Sequence, residues 1–400
     1  MLIKVQKDRM LTKVQNSLLK LKDYCEKESF KGYDPYDGLN SSLFQAIPVI
    51  SKNRLARLAW IQSFKRSPVN FRAVAGVKKE YNSKGLGLFL SGYCNLYHKN
   101  LEKEYLEKIH FFSDKLLQLK NNEWSGAAWG YNFDWQARAF FQPKNTPTVV
   151  ASVFISNALL DAYEITNEEN LLDTARSTCD FILKDLYRTW DKNGNFSFSY
   201  SPLDKSVVFN ASLLGSRLLS RVYSFTKEKM LIEEAKKSVQ FCMDHQQADG
   251  SWSYGTLSFH QWIDNFHTAY NLECIAEYMK YSGDKNYENQ LEKGFQYYIH
   301  NFFTDDGIAK YYHNSMYPVD IHAPAQMVIT LAKLNKFQEY KELMDKVLTW
   351  TINNMQSEKG FFYYQYNKHF SSKIPYMRWA QAWMFYSLST YIKFVNCEES

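Results

Sequence analysis

The stretch DGSWSYG at residues 249–255, followed by FHTAYNLECIAEYMKYSG at 266–283, joins a turn rich in glycine and aromatic residues to an apolar helical segment. The same pair recurs along the chain, and a repeat of this length is the signature of a stacked or closed array. The turns are GAAWGYNFDW at 126–135, NGNFSFSYSP at 193–202, DGSWSYG itself, DGIAKYYHNSMYP at 306–318 and KGFFYYQYNKHF at 359–370. Gly194, Gly250, Gly307 and Gly360 lie 56, 57 and 53 residues apart, and Gly130 lies 64 before the first of them.

Each turn leads into an apolar helical stretch, at 148–166, 207–226, 266–283, 320–334 and 378–395. Small and apolar residues spread around most of each helix, which predicts burial on more than one side. The first four are followed by more charged amphipathic helices at 167–187, 228–246, 285–303 and 336–356. Thr166-Asn167 and Gly283-Asp284 mark tight connections between the members of a pair. SKGLGLFLSGYCNLYHKN at 83–100 reads as a sixth inner helix, and LEKEYLEKIHFFSDKLLQLK at 101–120 as its outer partner. Residues 9–28 and 52–66 supply two more amphipathic helices. Six inner helices, each with an outer partner, predict an all-α (α/α)6 toroid of helical hairpins, with short β-hairpin turns gathered at one end. The weak breaks at 32–50 and 121–147 are rich in aromatic and Asp/Asn residues and do not resemble flexible linkers. One domain is therefore expected over 1–400, with N-terminal helices and a loop in 1–82 and the repeated hairpins in 83–400.

The 400 residues are 45% hydrophobic and 22% charged, ordinary for a chain that buries a core. The 29 Tyr, 28 Phe and 10 Trp are unusual. Such rings fill cores, and they also line sugar clefts, where a flat apolar face meets the C–H face of a pyranose. A net charge of +6 suits an anionic substrate or association with a membrane surface, and falls short of a nucleic-acid footprint. Cys25, Cys94, Cys179, Cys242, Cys274 and Cys397 are scattered, with no CxxC pair, so buried reduced thiols are expected rather than a disulfide framework or a zinc site. The N-terminal segment lacks the continuous apolar run of a signal peptide, and no stretch reads as a transmembrane helix. A cytoplasmic location is the simplest expectation.

The start of each inner helix carries polar groups. HQWIDNFHTAYN at 260–271 offers Asp264 and His267, and YPVDIHAPAQ offers Asp320 and His322. IPYMRWAQAW offers Tyr376, Arg378 and Trp379, and WGYNFDWQAR offers Trp129, Tyr131, Asp134 and Arg138. GYDPYDG adds Asp34 and Asp37. In a toroid these groups ring one mouth. Each has an ordinary alternative: Asp264 and Asp320 fit helix N-caps, a lone histidine at a helix start commonly bonds a neighbouring turn, and Trp129, Tyr131, Trp252 and Tyr254 fit hairpin packing.

Two chemistries use such a set. Glycoside hydrolysis needs a proton donor and a second carboxylate, for which Asp134, Asp264 and Asp320 are candidates. Epimerisation or β-elimination at a uronic acid needs a base for the proton α to the carboxylate and a cation for the developing charge. His267 or His322 with Tyr376 would supply base and acid, and Arg378 would hold the carboxylate. Three carboxylates tilt the choice slightly towards hydrolysis. Trp129, Tyr131, Trp252, Tyr376 and Trp379 are the candidates for contacts with sugar rings. No metal-spaced histidine cluster, glycine-rich phosphate loop or GxSxG elbow is present, so neither metal nor cofactor is expected.

Gln246, Gly250 and Trp252 resemble the Q-x-x-x-G-x-W motif of terpene-cyclase toroids, which implies the fold only, because the Asp-rich acid motif of those enzymes is absent. GYDPYDGLNS, KGLGLFLSGY, WGYNFDWQAR, WIDNFHTAYNLE, YPVDIHAPAQ and RWAQAW, in this order, resemble a family of α/α-toroid proteins of bacterial exopolysaccharide and capsule biosynthesis. The architecture is also similar to six-hairpin glycosidases, unsaturated glucuronyl hydrolases and glucuronyl epimerases or lyases. The resemblance implies a carbohydrate-active protein of surface-polysaccharide production, glycoside hydrolase-like on a glycan with or without uronic acid, with a uronate C5-epimerase or polysaccharide lyase, or a non-catalytic glycan-binding or assembly factor, as alternatives. The expected partner is a glycan or sugar-containing substrate, not a nucleic acid.

Overall fold

The computed structural model of the chain describes residues 2–138 and 140–396. Six inner helices, α5 (Ser83–Asn100), α7 (Val149–Thr166), α9 (Phe209–Thr226), α11 (Asn265–Ser282), α13 (His322–Lys333) and α15 (Trp383–Phe394), stand around one axis. Each packs on the next, and α15 returns to α5, which closes the ring. Behind them lie α6 (Lys103–Gln118), α8 (Glu169–Asp185), α10 (Lys229–Met243), α12 (Glu288–Phe302) and α14 (Lys341–Met355). The sixth outer helix is α1 (Leu2–Lys27), which packs behind α15 and beside α14. The first helix of the chain thus completes the last hairpin. The all-α toroid follows.

The sequence pattern explains the two layers. Inner helices touch a neighbour on both sides and an outer helix behind, so they are buried nearly all round; α7 buries every residue from Val149 to Leu160. By length and composition α7 is apolar enough to cross a membrane, contrary to the expectation that no stretch would be, and here it is a mostly buried wall of the ring. Outer helices bury one stripe, as in α6, where Ile109, Phe112, Ser113 and Leu116 face inward. Asn82, Thr148 and Asp264 cap α5, α7 and α11 by accepting the N–H of Gly85, Ala151 and His267.

The hairpin turns lock the ring. They include the ladders of β1 (Trp135–Gln136) with β2 (Phe141–Gln142) and of β3 (Arg188–Trp190) with β4 (Phe196–Phe198). In a third ladder, β5 (Val319–Asp320) pairs with β6 (Gln365–Tyr366) of the following turn. Gly250 adopts φ +95°, and a Cβ there would stand 2.5 Å from the Lys293 carbonyl on α12. Gly360 docks in the same way on Lys20 of α1, so the period of the glycines is the period of the outer ring. Inner-helix N–H groups that lack an intrahelical partner are met by the next hairpin. Val149, Phe209, Asn265, Ile321 and Met377 donate to the carbonyls of Tyr200, Tyr254, Tyr311, Tyr364 and Tyr33, at 2.9–3.2 Å.

The helix expected at 52–66 belongs to neither layer. With the single turns α2 (Ser42–Gln45) and α3 (Pro48–Ser51), α4 (Arg54–Arg66) builds a cap at the hairpin end around the small cores of Leu39, Phe44 and Ile61 and of Phe64, Ala75 and Val77. Cys25, Cys94, Cys179, Cys242 and Cys274 are buried free thiols, and Cys397 lies outside the described residues.

Candidate active site

The hairpin end holds a layered set of polar groups. Nearest the axis, the His322 imidazole lies parallel to Phe266 at 4.2 Å and 4.2 Å from Trp383. Its Nε2 is 2.7 Å from the Tyr270 hydroxyl, and its Nδ1 has no partner. Burial, reinforced by the positive charge of Lys84, holds this imidazole well below its ordinary pKa, so it is neutral at pH 7.

Lys84, in the first turn of α5, is 3% exposed and sits over three rings: Phe154 at 4.2 Å, Trp383 at 5.3 Å and Tyr270 at 5.7 Å. No carboxylate pairs with it among the described residues. Burial is the main cause of a pKa well below that of a free lysine, and Arg378 adds to it.

His267 is one turn into α11 from Asp264. The buried carboxylate accepts both the His267 backbone N–H at 3.0 Å and the ring Nδ1 at 2.9 Å. It is therefore the helix cap and the anchor of the imidazole at once. A carboxylate only accepts, so Nδ1 carries a proton, and in the neutral ring the lone pair is on Nε2. The ring is walled by Tyr254, Trp262 and Tyr270 and borders a narrow crevice that Asn210 and Asn271 also line. Asn210 Nδ2 and Asn271 Oδ1 are buried without partners.

Asp320 does not cap α13 in the ordinary way, since it lies on β5 and Ile321 intervenes. Its carboxylate accepts from Trp379 Nε1 at 2.8 Å, Gln365 Nε2 at 2.8 Å and His322 N at 3.0 Å. Burial pushes it up to about 6 against these three bonds. Arg378 is not free to hold a substrate carboxylate on its own: Nε and Nη2 grip Asp34 at 2.6 and 2.8 Å, and the guanidinium lies 5.1 Å from the rings of Tyr131 and Trp379. Arg378 and Trp379 sit on a π-helical turn, Met377–Ala382, an extra-residue distortion that turns both side chains towards the mouth.

The other expected site residues divide. Tyr131 lies at the mouth, its hydroxyl 3.3 Å from that of Tyr200. Asp134 is a half-buried rim residue that accepts the Lys144 N–H at 2.7 Å. Among the described residues it shares no hydrogen bond or ion pair with Asp264, Asp320, His267, His322 or Arg378. Trp129 is fully buried between layers, with its indole N–H donated to the Leu116 carbonyl. Trp252 does the same to Cys242, with Gln246 bonded to the Gly250 carbonyl, so the Q-x-x-x-G-x-W motif closes an outer helix end. Tyr376 is buried beneath Arg72, which pairs with Asp37 at 2.6 Å. Stacking on a sugar is closed to Trp129 and Tyr376 by this burial, and Trp252, which lines the crevice, is only 2% exposed.

Three groups beyond the sequence expectation belong here: Lys84 and Tyr270 stand beside His322, and Trp383 floors the mouth. Asp34, expected at the mouth, neutralises Arg378. Lys84 had a signal: it is the one charged residue in the buried stretch 83–94, where its burial needs a reason. Tyr131, Tyr200, Tyr254, Tyr311 and Tyr364 also had one, each standing four to six residues after a turn glycine at 126, 194, 250, 307 or 360. Among the described residues no three His, Cys, Asp or Glu side chains are arranged to hold a metal ion.

Fold and site together define an (α/α)6 toroid of helical hairpins with a polar mouth at its hairpin end. No protein-family model matches the chain, and no curated protein sequence matches it. Solved structures are similar. A cellobiose 2-epimerase from Bacillus thermoamylovorans B4167 is 12% identical with a TM-score of 0.61, over 79% of this chain and 87% of that one. A GH76 α-mannanase from Bacteroides thetaiotaomicron is 12% identical with a TM-score of 0.61, over 79% and 88%. An unsaturated glucuronyl hydrolase from Streptococcus agalactiae is 13% identical with a TM-score of 0.60, over 98% and 92%. At such identities the likeness establishes the fold.

Proposed function

We propose that the chain is a carbohydrate-active enzyme that moves a proton at a sugar carbon next to a carbonyl or carboxylate, as an epimerase or isomerase does. The observation that carries this is the pair of imidazoles on successive inner helices: His267, oriented by Asp264, and His322, neutral beside Tyr270. His267 Nε2 takes the proton. The Tyr270 hydroxyl, held by His322, gives one to the opposite face; Tyr270 then regains a proton from solvent and His267 releases its own. The oxygen that gains charge meets Lys84, a buried amine with no carboxylate to satisfy it. The solved epimerases and the D-mannose isomerase of the same fold support the reading by analogy only.

Hydrolysis is the second reading. Asp320, pushed up to about 6, has the pKa of a proton donor. It is weakened because Asp320 is spent on three internal donors, Asp264 on His267 and Asp134 on the rim. A glycan of surface-polysaccharide production, with uronic acid among its sugars, is the substrate class that the motif resemblance suggests. A single domain over 1–400, a cytoplasmic location and action without a cofactor belong to the same reading. The test is a panel of reducing oligosaccharides and uronate-rich glycans, with the wild type against His267→Gln and His322→Gln. Loss of an acid or base group lowers turnover by about 10²–10⁴-fold. Full activity in both variants would remove the proposal, and an inert wild type that still binds glycans would leave a binding or assembly factor.

A further inference from the structure

The cap over the mouth differs from the rest of the molecule in charge and in surface. Between Asp37 and Glu80 there are eight basic residues and no acidic one. Removing this stretch from the totals of 48 basic and 42 acidic residues leaves 40 and 42, a net −2, so the cap's +8 takes the whole chain to +6. Four of the eight point inward or are matched: Arg72 pairs with Asp37, Lys65 bonds the Tyr36 hydroxyl, Lys79 pairs with Glu28, and Arg57 lies on Phe141. Lys52, Arg54, Arg66 and Lys78 are exposed, and none has a carboxylate partner among the described residues.

The same segment exposes branched aliphatic side chains. Val49 is 85% exposed, Val74 84%, Leu55 74% and Val69 62%. Its aromatic rings are mostly turned inward: Phe44 stacks on Trp60 at 5.0 Å, and Trp60 packs on Phe64 at 5.3 Å. A protein-docking face concentrates aromatic anchors and loses lysine, and single-stranded nucleic acid needs exposed rings for stacking. Isolated aliphatic residues among unpaired cations have the chemistry of shallow insertion between anionic headgroups.

We propose that residues 42–78 form a membrane-surface element that binds anionic phospholipid. Val49, Leu55, Val69 and Val74 enter the headgroup region, and Lys52, Arg54, Arg66 and Lys78 meet lipid phosphates. Lys65 of α4 reaches the Tyr36 hydroxyl at 2.9 Å, and Tyr36 packs on Trp379 of the site. Attachment through this face therefore sets the mouth beside the bilayer, where a lipid-linked sugar is presented. That last step rests on the proposed function, whereas lipid binding does not.

Vesicle co-sedimentation of the full chain tests it without any turnover. The vesicles are phosphatidylcholine alone, or phosphatidylcholine with a third of the lipid replaced by phosphatidylglycerol. Binding is expected with the anionic vesicles only, and it should weaken with added salt. Lys52→Gln and Arg66→Gln should each lower partitioning about fivefold, and Val49→Glu with Val74→Glu should abolish it. Met230→Glu, on an exposed position of α10, should bind as the wild type does. All these side chains are exposed, so unchanged thermal unfolding confirms that each variant is folded. Equal sedimentation with neutral and anionic vesicles, no sedimentation with either, or undiminished binding by the cap variants would overturn the proposal.

Discussion

The buried pair of Asp34 and Arg378 joins the start of the chain to its last inner helix. Both side chains are at most 5% exposed, and two bonds of 2.6 and 2.8 Å hold them. Asp34→Asn keeps a side-chain acceptor for the Tyr36 N–H but leaves a buried guanidinium without a counter-charge, which costs about 3–5 kcal/mol. Arg378→Met leaves the carboxylate buried and alone, at a similar cost of about 3–5 kcal/mol. Asp34→Asn combined with Arg378→Met removes both charges at once, and such replacements are near neutral, so about 1–2 kcal/mol is expected. The three variants and the wild type form a double-mutant cycle with a coupling of at least ~3 kcal/mol. Urea unfolding followed by far-UV circular dichroism and by tryptophan fluorescence gives the four stabilities, and coincident transitions validate the two-state fit. A double variant whose loss equals the sum of the single losses to within about 0.5 kcal/mol would refute the reasoning, because the two groups would then not be each other's counter-charge.

Other outcomes follow from single residues. Asp264→Asn keeps a good N-cap and should lose less than about 1 kcal/mol, whereas Asp264→Ala should lose about 1–2 kcal/mol, and both should lower turnover at least tenfold; thermal unfolding and the glycan assay separate cap from imidazole anchor. Gly250→Ala must push its Cβ against the Lys293 carbonyl at φ +95° and should cost about 2–3 kcal/mol, while Gly194→Ala, with nothing within 4 Å, should cost only about 1 kcal/mol for its positive φ; chemical denaturation reads both. Glu273 lies deeper along the axis, bonded by Thr330 at 2.6 Å with Arg217 at 3.7 Å, and burial pushes it up to about 7 from 4.5. A raised acid pKa favours the protonated folded state, so its penalty is absent at low pH and grows as pH rises from about 4.5 to 7. Glu273→Gln should therefore match the wild type near pH 4.5 and exceed it by about 2–3 kcal/mol at pH 8 in urea unfolding; an advantage that is the same at both pH values would contradict the assignment.

The ring was readable because its period is written twice, once in the turn glycines and once in the apolar helices. The use of α1 as the sixth outer helix was less visible, since the partner that identifies it, Gly360 against Lys20, is at the far end of the chain. The connections after α5 and α9 were read from the change of pattern at 100–101 and 226–228 without a glycine to mark them; Leu101 and Lys227 take the left-handed conformation there, at φ 56° and 59°, as Gly283 does after α11. Asp264 with His267 was legible as an i, i+3 pair on one helix face. His322 with Tyr270, and Arg378 with Asp34, join residues 52 and 344 apart, and only the closed ring reveals them. Trp129 and Trp252 recur in the turns like ligand-stacking residues, but what repeats is their bond to the end of an outer helix.

The most direct test of the proton-transfer account is proton NMR of the sugar in deuterated water, with the wild type and His322→Gln side by side. One ring proton next to the carbonyl or carboxylate carbon is expected to exchange for deuterium, with inversion of the sugar at that carbon. No new reducing end should appear, and the variant should show no exchange. New reducing ends without deuterium in the ring would contradict it and give the site to hydrolysis.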